Sequence, residues 1–139
     1  MAKDNAADKR AMKPGYESNE ANQNRSVLDE GIKEYEAKNY PAAISVFSSV
    51  LKNDRENTEA IFYSGVSYLS MGEYEIAVNL LQSISPSSPG KFSDAAKWYL
   101  SLCYIRKNKI SKAKSLLEDL SGRENEYRSN AIKTLQEIK

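Results

Sequence analysis

Residues 65–77 read GVSYLSMGEYEIA, and the pattern occurs in three copies. Gly65, Tyr74 and Ala77 lie 34 residues beyond Gly31, Tyr40 and Ala43. Tyr68, Ala77 and the pair Leu80–Leu81 lie 36 residues before Tyr104, Ala113 and Leu116–Leu117. A period of that length predicts one small unit stacked on itself, with the rest of the chain flanking or capping the stack.

Each unit reads as two helices. Val27, Leu28, Gly31, Ile32 and Tyr35 share one helical face, which Asn39 closes. Pro41 suits the first turn of the next helix, where a missing N–H costs nothing. Ala43, Ile44, Phe47, Val50 and Leu51 form that helix's apolar face. Asn57 suits the N-cap of a third helix carrying Ile61, Phe62, Gly65, Val66, Tyr68 and Leu69. Gly72 suits a left-handed C-terminal cap. Tyr74, Ala77, Val78, Leu81 and Ile84 define a fourth helix, and the stretch 85–90, with two prolines and a glycine, breaks the chain after it. A short insertion there accounts for the offset of 36 in place of 34.

The fifth helix, from Phe92 to Ile105, is apolar almost all round, as a helix between neighbours should be. Ile110, Ala113, Leu116, Leu117 and Leu120 give a sixth. Tyr127, Ala131, Ile132, Leu135 and Ile138 give a seventh, half of a fourth repeat, whose polar face suits a terminal cap. The expectation is an all-α stack of about seven helices. Its repeats span about 25–56, 57–90 and 91–121, and a capping helix spans 124–138. Residues 1–24 have no periodic apolar pattern and contain Pro14–Gly15, so they are expected to form a flexible tail.

Composition narrows function by exclusion. Lys and Arg number 20 against 19 Asp and Glu, leaving no basic excess to hold nucleic acid. No apolar run reaches the ~18 residues of a membrane span, so direct membrane insertion is not expected. The N-terminus lacks the apolar segment of a signal peptide. With one cysteine, Cys103, an internal disulfide is impossible, and with no histidine the commonest metal ligand and general base are missing. The acidic spots Glu56–Asn57, Glu73–Tyr74–Glu75 and Glu118–Asp119 read as exposed helix ends. No catalytic, metal or cofactor constellation emerges, and a non-enzyme is expected.

The repeated pattern resembles the tetratricopeptide repeat family. The second repeat supplies Ile61, Gly65, Tyr68, Gly72, Tyr74, Ala77, Leu81 and Ile84 in the family's order, with Pro89 at the closing place. The first supplies Val27, Gly31, Tyr40, Ala43, Phe47 and Val50, and the third Leu100, Ser101, Tyr104, Ala113, Leu117 and Leu120. Glu30 and Ser64 depart from the usual leucine, and Arg55 and Asn125 from the usual closing proline. The resemblance implies a right-handed superhelical stack of helix-turn-helix repeats. It also implies a non-catalytic protein-interaction scaffold whose concave groove, lined by the first helix of each repeat, takes a peptide or helix of a partner protein. The groove positions map to Leu28, Ile32 and Tyr35, to Phe62, Val66 and Leu69, and to Trp98, Leu102 and Ile105. Chaperone-binding members clamp a terminal carboxylate with lysine and asparagine; Leu28 and Ile32 stand at those first-repeat places, so that clamp is missing. Three readings of the apolar strip stay open: a filled core, a groove for a peptide or helix, and a surface for self-association. The weaker likeness of the third repeat and cap to small domains of bacterial membrane-anchored proteins implies an alternative. In it, the chain is the soluble part of an envelope-assembly or regulatory protein, on the periplasmic face with an anchor upstream, where the default location is cytoplasmic.

Overall fold

A computed structural model describes residues 5–88 and 90–138, with side chains from Glu20 onward. The described residues form seven helices: α1 (Asn5–Glu36), α2 (Tyr40–Asn53), α3 (Thr58–Ser70), α4 (Tyr74–Gln82), α5 (Gly90–Arg106), α6 (Ile110–Ser121) and α7 (Arg128–Glu137). No strand occurs among the described residues. Helices pair as α1–α2, α3–α4 and α5–α6, and each pair meets the next through its second helix. The first helices α1, α3 and α5 also touch in sequence, and α7 closes the stack against α6. This is the helical-repeat architecture that the 34- and 36-residue offsets predict.

Small residues make the pairing close. Ala43, Ala77 and Ala113 have no exposed surface. A methyl group built on Gly31 would stand 2.5 Å from Phe47 Cε1, and one on Gly65 would stand 2.9 Å from Leu81 Cγ. The third repeat has Ser101 at the equivalent place. It is fully buried, and its Oγ donates to the Trp98 carbonyl at 2.6 Å, so its polar atom is satisfied within its own helix.

The three intra-repeat turns share one construction. Lys38, Gly72 and Asn108 adopt φ of 65°, 81° and 61° at corresponding repeat positions. The following amides reach back to the last helical turn: Asn39 N–H donates to Glu34 O (2.8 Å), Glu73 N–H to Tyr68 O (2.9 Å) and Lys109 N–H to Tyr104 O (2.7 Å). This is the Schellman arrangement, which satisfies carbonyls that a helix end would otherwise leave open. The same three residues are the N-caps of α2, α4 and α6, so one left-handed residue separates antiparallel helices. Pro41 sits in the first turn of α2, and the Asn57 side chain accepts from Ala60 N–H at 3.0 Å to start α3.

Two boundaries differ from expectation. The helix α1 reaches back to Asn5, so it covers most of the stretch read as a tail and runs through Pro14–Gly15. Ala, Lys, Glu, Met and Gln are strong helix formers and extend a helix already started in the repeat, even without an apolar face. The last helix begins at Arg128 and not near 124. The Asn125 side chain accepts from Tyr127 N–H (2.8 Å) and donates to Leu120 O (2.8 Å), and this local turn holds the chain out of the helix until after Tyr127.

Candidate functional site

The first helices carry a continuous aromatic strip. Tyr35 of α1 meets Tyr63 of α3 with ring centroids 5.1 Å apart. Phe62 packs on Tyr63 at 5.1 Å, on Phe92 at 5.7 Å and on Tyr99 of α5 at 5.8 Å. Beside α7, Tyr127 meets Tyr99 at 6.5 Å and stacks on Trp98 at 5.9 Å. The strip therefore crosses the whole stack, and edge-to-face pairs of this kind add to the stabilisation from burial alone.

Four tyrosines in this strip, Tyr35, Tyr63, Tyr99 and Tyr127, are half-buried. Among the described residues, none of their hydroxyls makes a hydrogen bond, whereas the Tyr104 hydroxyl accepts from Gln82 at 2.7 Å. Burial pushes the Tyr35 and Tyr127 hydroxyls up to about 12, and the neighbouring tyrosines add to the effect. Burial also raises Tyr63 and Tyr99. The four stay neutral and able to donate at any physiological pH.

The nine expected groove residues divide. Ile32, Tyr35, Leu69, Trp98, Leu102 and Ile105 are half-buried and offer surface. Leu28, Phe62 and Val66 do not, being 1%, 7% and 3% exposed. Leu28 packs in a cluster with Ala43, Phe47, Val50 and Ala60 between the first repeat and α3. Phe62 and Val66 belong to the central core with Ala77, Leu81 and Ala96. Helical periodicity puts these three on the side of their helices that faces the neighbouring packed helices. The packed neighbouring helices, with Phe47, Phe92 and Tyr99, then close over them, so they are core residues and not contact residues. Tyr63 and Tyr99, absent from the expected set, are part of the strip. Their separation of 36 residues matches the second repeat offset, which was the signal for them.

Toward the turns, Leu69, Leu102 and Ile105 line a pocket of about 500 Å³ with Met71, Tyr74 and Arg106. At the other end, Arg25 is already engaged, donating to Glu59 at 2.6 Å and to Asp29 at 2.9 Å. No group of metal-ligating side chains occurs among the described residues. Cys103 is buried, and burial pushes its thiol up to about 11, which keeps it protonated and unreactive. No helix among the described residues is long and apolar enough to cross a membrane.

Known folds agree with this architecture. The chain is similar to the type III secretion translocator chaperone SycD of Yersinia enterocolitica, with a TM-score of 0.69 at 15% identity over 85% of this chain and 91% of that one. It is similar to SycD in complex with a peptide of the translocator YopD, with a TM-score of 0.65 at 15% identity over 81% and 86%. It is also similar to a chain of the CopN–Scc3 complex, with a TM-score of 0.65 at 20% identity over 84% and 69%. At these identities the likeness is one of fold. No curated protein matches in sequence. Residues 34–97 match the model of the tetratricopeptide repeat family. The repeated turns, the buried alanines and the stacked helix pairs continue on either side of that segment, so the chain as a whole is similar in architecture to the tetratricopeptide repeat family.

Proposed function

We propose that this chain is a non-catalytic interaction scaffold that binds a short peptide or helix of a partner protein along the face formed by α1, α3, α5 and α7. The observation that carries this reading is the strip of half-buried tyrosines whose hydroxyls have no hydrogen-bond partner among the described residues. A filled core would close over these residues; instead they keep part of their surface open, where a ligand or water can bond the hydroxyls. An incoming segment supplies main-chain carbonyls to these hydroxyls and apolar side chains to Leu69, Leu102 and Ile105. Tyr and Trp commonly dominate binding surfaces because they combine large apolar area with one polar atom. The similar SycD structure with a YopD peptide supports the idea that a fold of this shape accommodates a peptide.

The test is selection of twelve-residue peptides on the intact chain, followed by titration against Leu69→Ala and Leu102→Ala variants. Truncating such an anchor is expected to weaken binding by about tenfold or more. Both variants should keep a cooperative melt. Selected peptides that bind both folded variants as tightly as the parent chain would remove this face as the site.

A further inference from the structure

We propose that the pocket between the C-terminal ends of α3 and α5 recognises an apolar side chain flanked by a carboxylate, with Arg106 receiving the carboxylate. The inference rests on the peptide-binding reading above and specifies the ligand at one end of that face. The pocket's volume of about 500 Å³ suits a ligand site. Its wall is mixed: Leu69, Met71, Leu102 and Ile105 give it an apolar side beside Ser70 and Tyr74, and among the described residues Arg106 is the only charged one lining it. Met71 is 43% exposed, one of three large apolar residues so exposed among the described residues, and its flexible thioether adapts to varied side chains.

The charge pattern around the pocket selects the sign of the ligand. Lys107, next in sequence, is paired with Glu75 at 2.5 Å, and that pairing holds the Glu75 carboxyl below its usual range. Arg25, Lys97, Arg123 and Arg128 each have a carboxylate partner. Arg106 has none among the described residues; its guanidinium makes one long contact, 3.5 Å, with the Tyr74 hydroxyl. Arg106 is exposed and presents five donors in a rigid fork that matches a carboxylate, next to the apolar side chains of Leu102 and Ile105. Glu75, the acidic residue of α4, is paired with Lys107, and Glu73, between the lining residues Gly72 and Tyr74, does not itself line the pocket.

The experiment is a synthetic array of terminally blocked twelve-residue peptides with a central Leu, Met or Phe, flanked by Asp, Asn, Lys or Ala. It is probed with the full chain and with its Arg106→Ala, Arg106→Lys and Arg106→Glu variants. The parent chain should bind Asp-flanked peptides about tenfold tighter than their Asn-flanked counterparts. Arg106→Ala should abolish that preference, Arg106→Lys should keep part of it, and Arg106→Glu should turn it toward Lys-flanked peptides. Binding that depends on Leu69 and Leu102 but ignores the flanking charge would overturn this inference and leave the groove reading standing. Absence of binding by every peptide would overturn both. A preference for Asp that persists in Arg106→Glu would place the recognising cation elsewhere and also overturn it.

Discussion

Replacing Gly31 by alanine should destabilise the protein, against the usual trend. Inside a helix, glycine to alanine ordinarily stabilises by about 0.5–1 kcal/mol. Here the new methyl would lie 2.5 Å from Phe47 Cε1, 2.8 Å from Cδ1 and 3.1 Å from Val46 Cγ1. Carbon atoms in contact prefer about 3.5–4.0 Å, so the ring must move by about 1 Å. Phe47 has no exposed surface, and its ring stacks on Tyr63 at 6.0 Å, so it has nowhere to go without disturbing the next repeat. Overpacking of this kind costs about 1–3 kcal/mol; offset by the helical gain, a net loss of about 1–2 kcal/mol is expected. Urea unfolding followed by circular dichroism should show a lower midpoint with an unchanged slope, and a fall in Tm of about 3–8 °C. Gly65→Ala should behave alike, because its methyl meets the branch-point Cγ of Leu81 at 2.9 Å and rotating the tip cannot relieve it. Gly90→Ala is the control, since nothing lies within 4 Å of that position. If Gly31→Ala unfolds at or above the parent midpoint, the close approach of α1 and α2 is wrong.

Lys38→Gly should stabilise by about 1 kcal/mol, because Lys38 holds a φ of 65° that glycine adopts freely; a lowered urea midpoint would contradict the shared turn. Alkaline pH should weaken the fold. Tyr35 and Tyr127 are pushed up to about 12 when folded, against about 10 unfolded, so their contribution is complete below pH ~10 and is lost as pH rises toward 12. Cys103, pushed up to about 11, acts in the same direction. Urea midpoints from pH 8 to 11 should fall, and fall less in a Tyr35→Phe, Tyr127→Phe variant; equal slopes in the two proteins would contradict this assignment. Deleting residues 1–24 is expected to leave Tm unchanged, because this stretch brings no apolar face to bury; a clear drop on melting the shortened chain would show that it docks.

Much of the fold was legible because its determinants are local and repeated. The offset from Gly31 to Gly65 carried the pairing, and Gly72 announced the left-handed turn that Lys38 and Asn108 also adopt. The N-terminal extent of α1 was not legible, since Pro14–Gly15 signals a break while the flanking residues favour helix. The face of the candidate site was legible, but its depth was not. Periodicity assigns Phe62 to a helix face; only packing from Phe92 and Tyr99 decides that it is buried. Arg106 was not legible as a recognition residue, because its pairing only with the Tyr74 hydroxyl among the described residues is a contact between residues 32 apart in sequence.

The central claim is that the face of α1, α3, α5 and α7 holds a peptide. Chemical-shift mapping of the full chain with a selected peptide tests it most directly. The largest changes should fall on Tyr35, Tyr63, Leu69, Tyr99, Leu102 and Ile105, together with the indole of Trp98. Changes confined to the opposite surface, around Ile44, Leu51, Ile76 and Leu80, would contradict the claim.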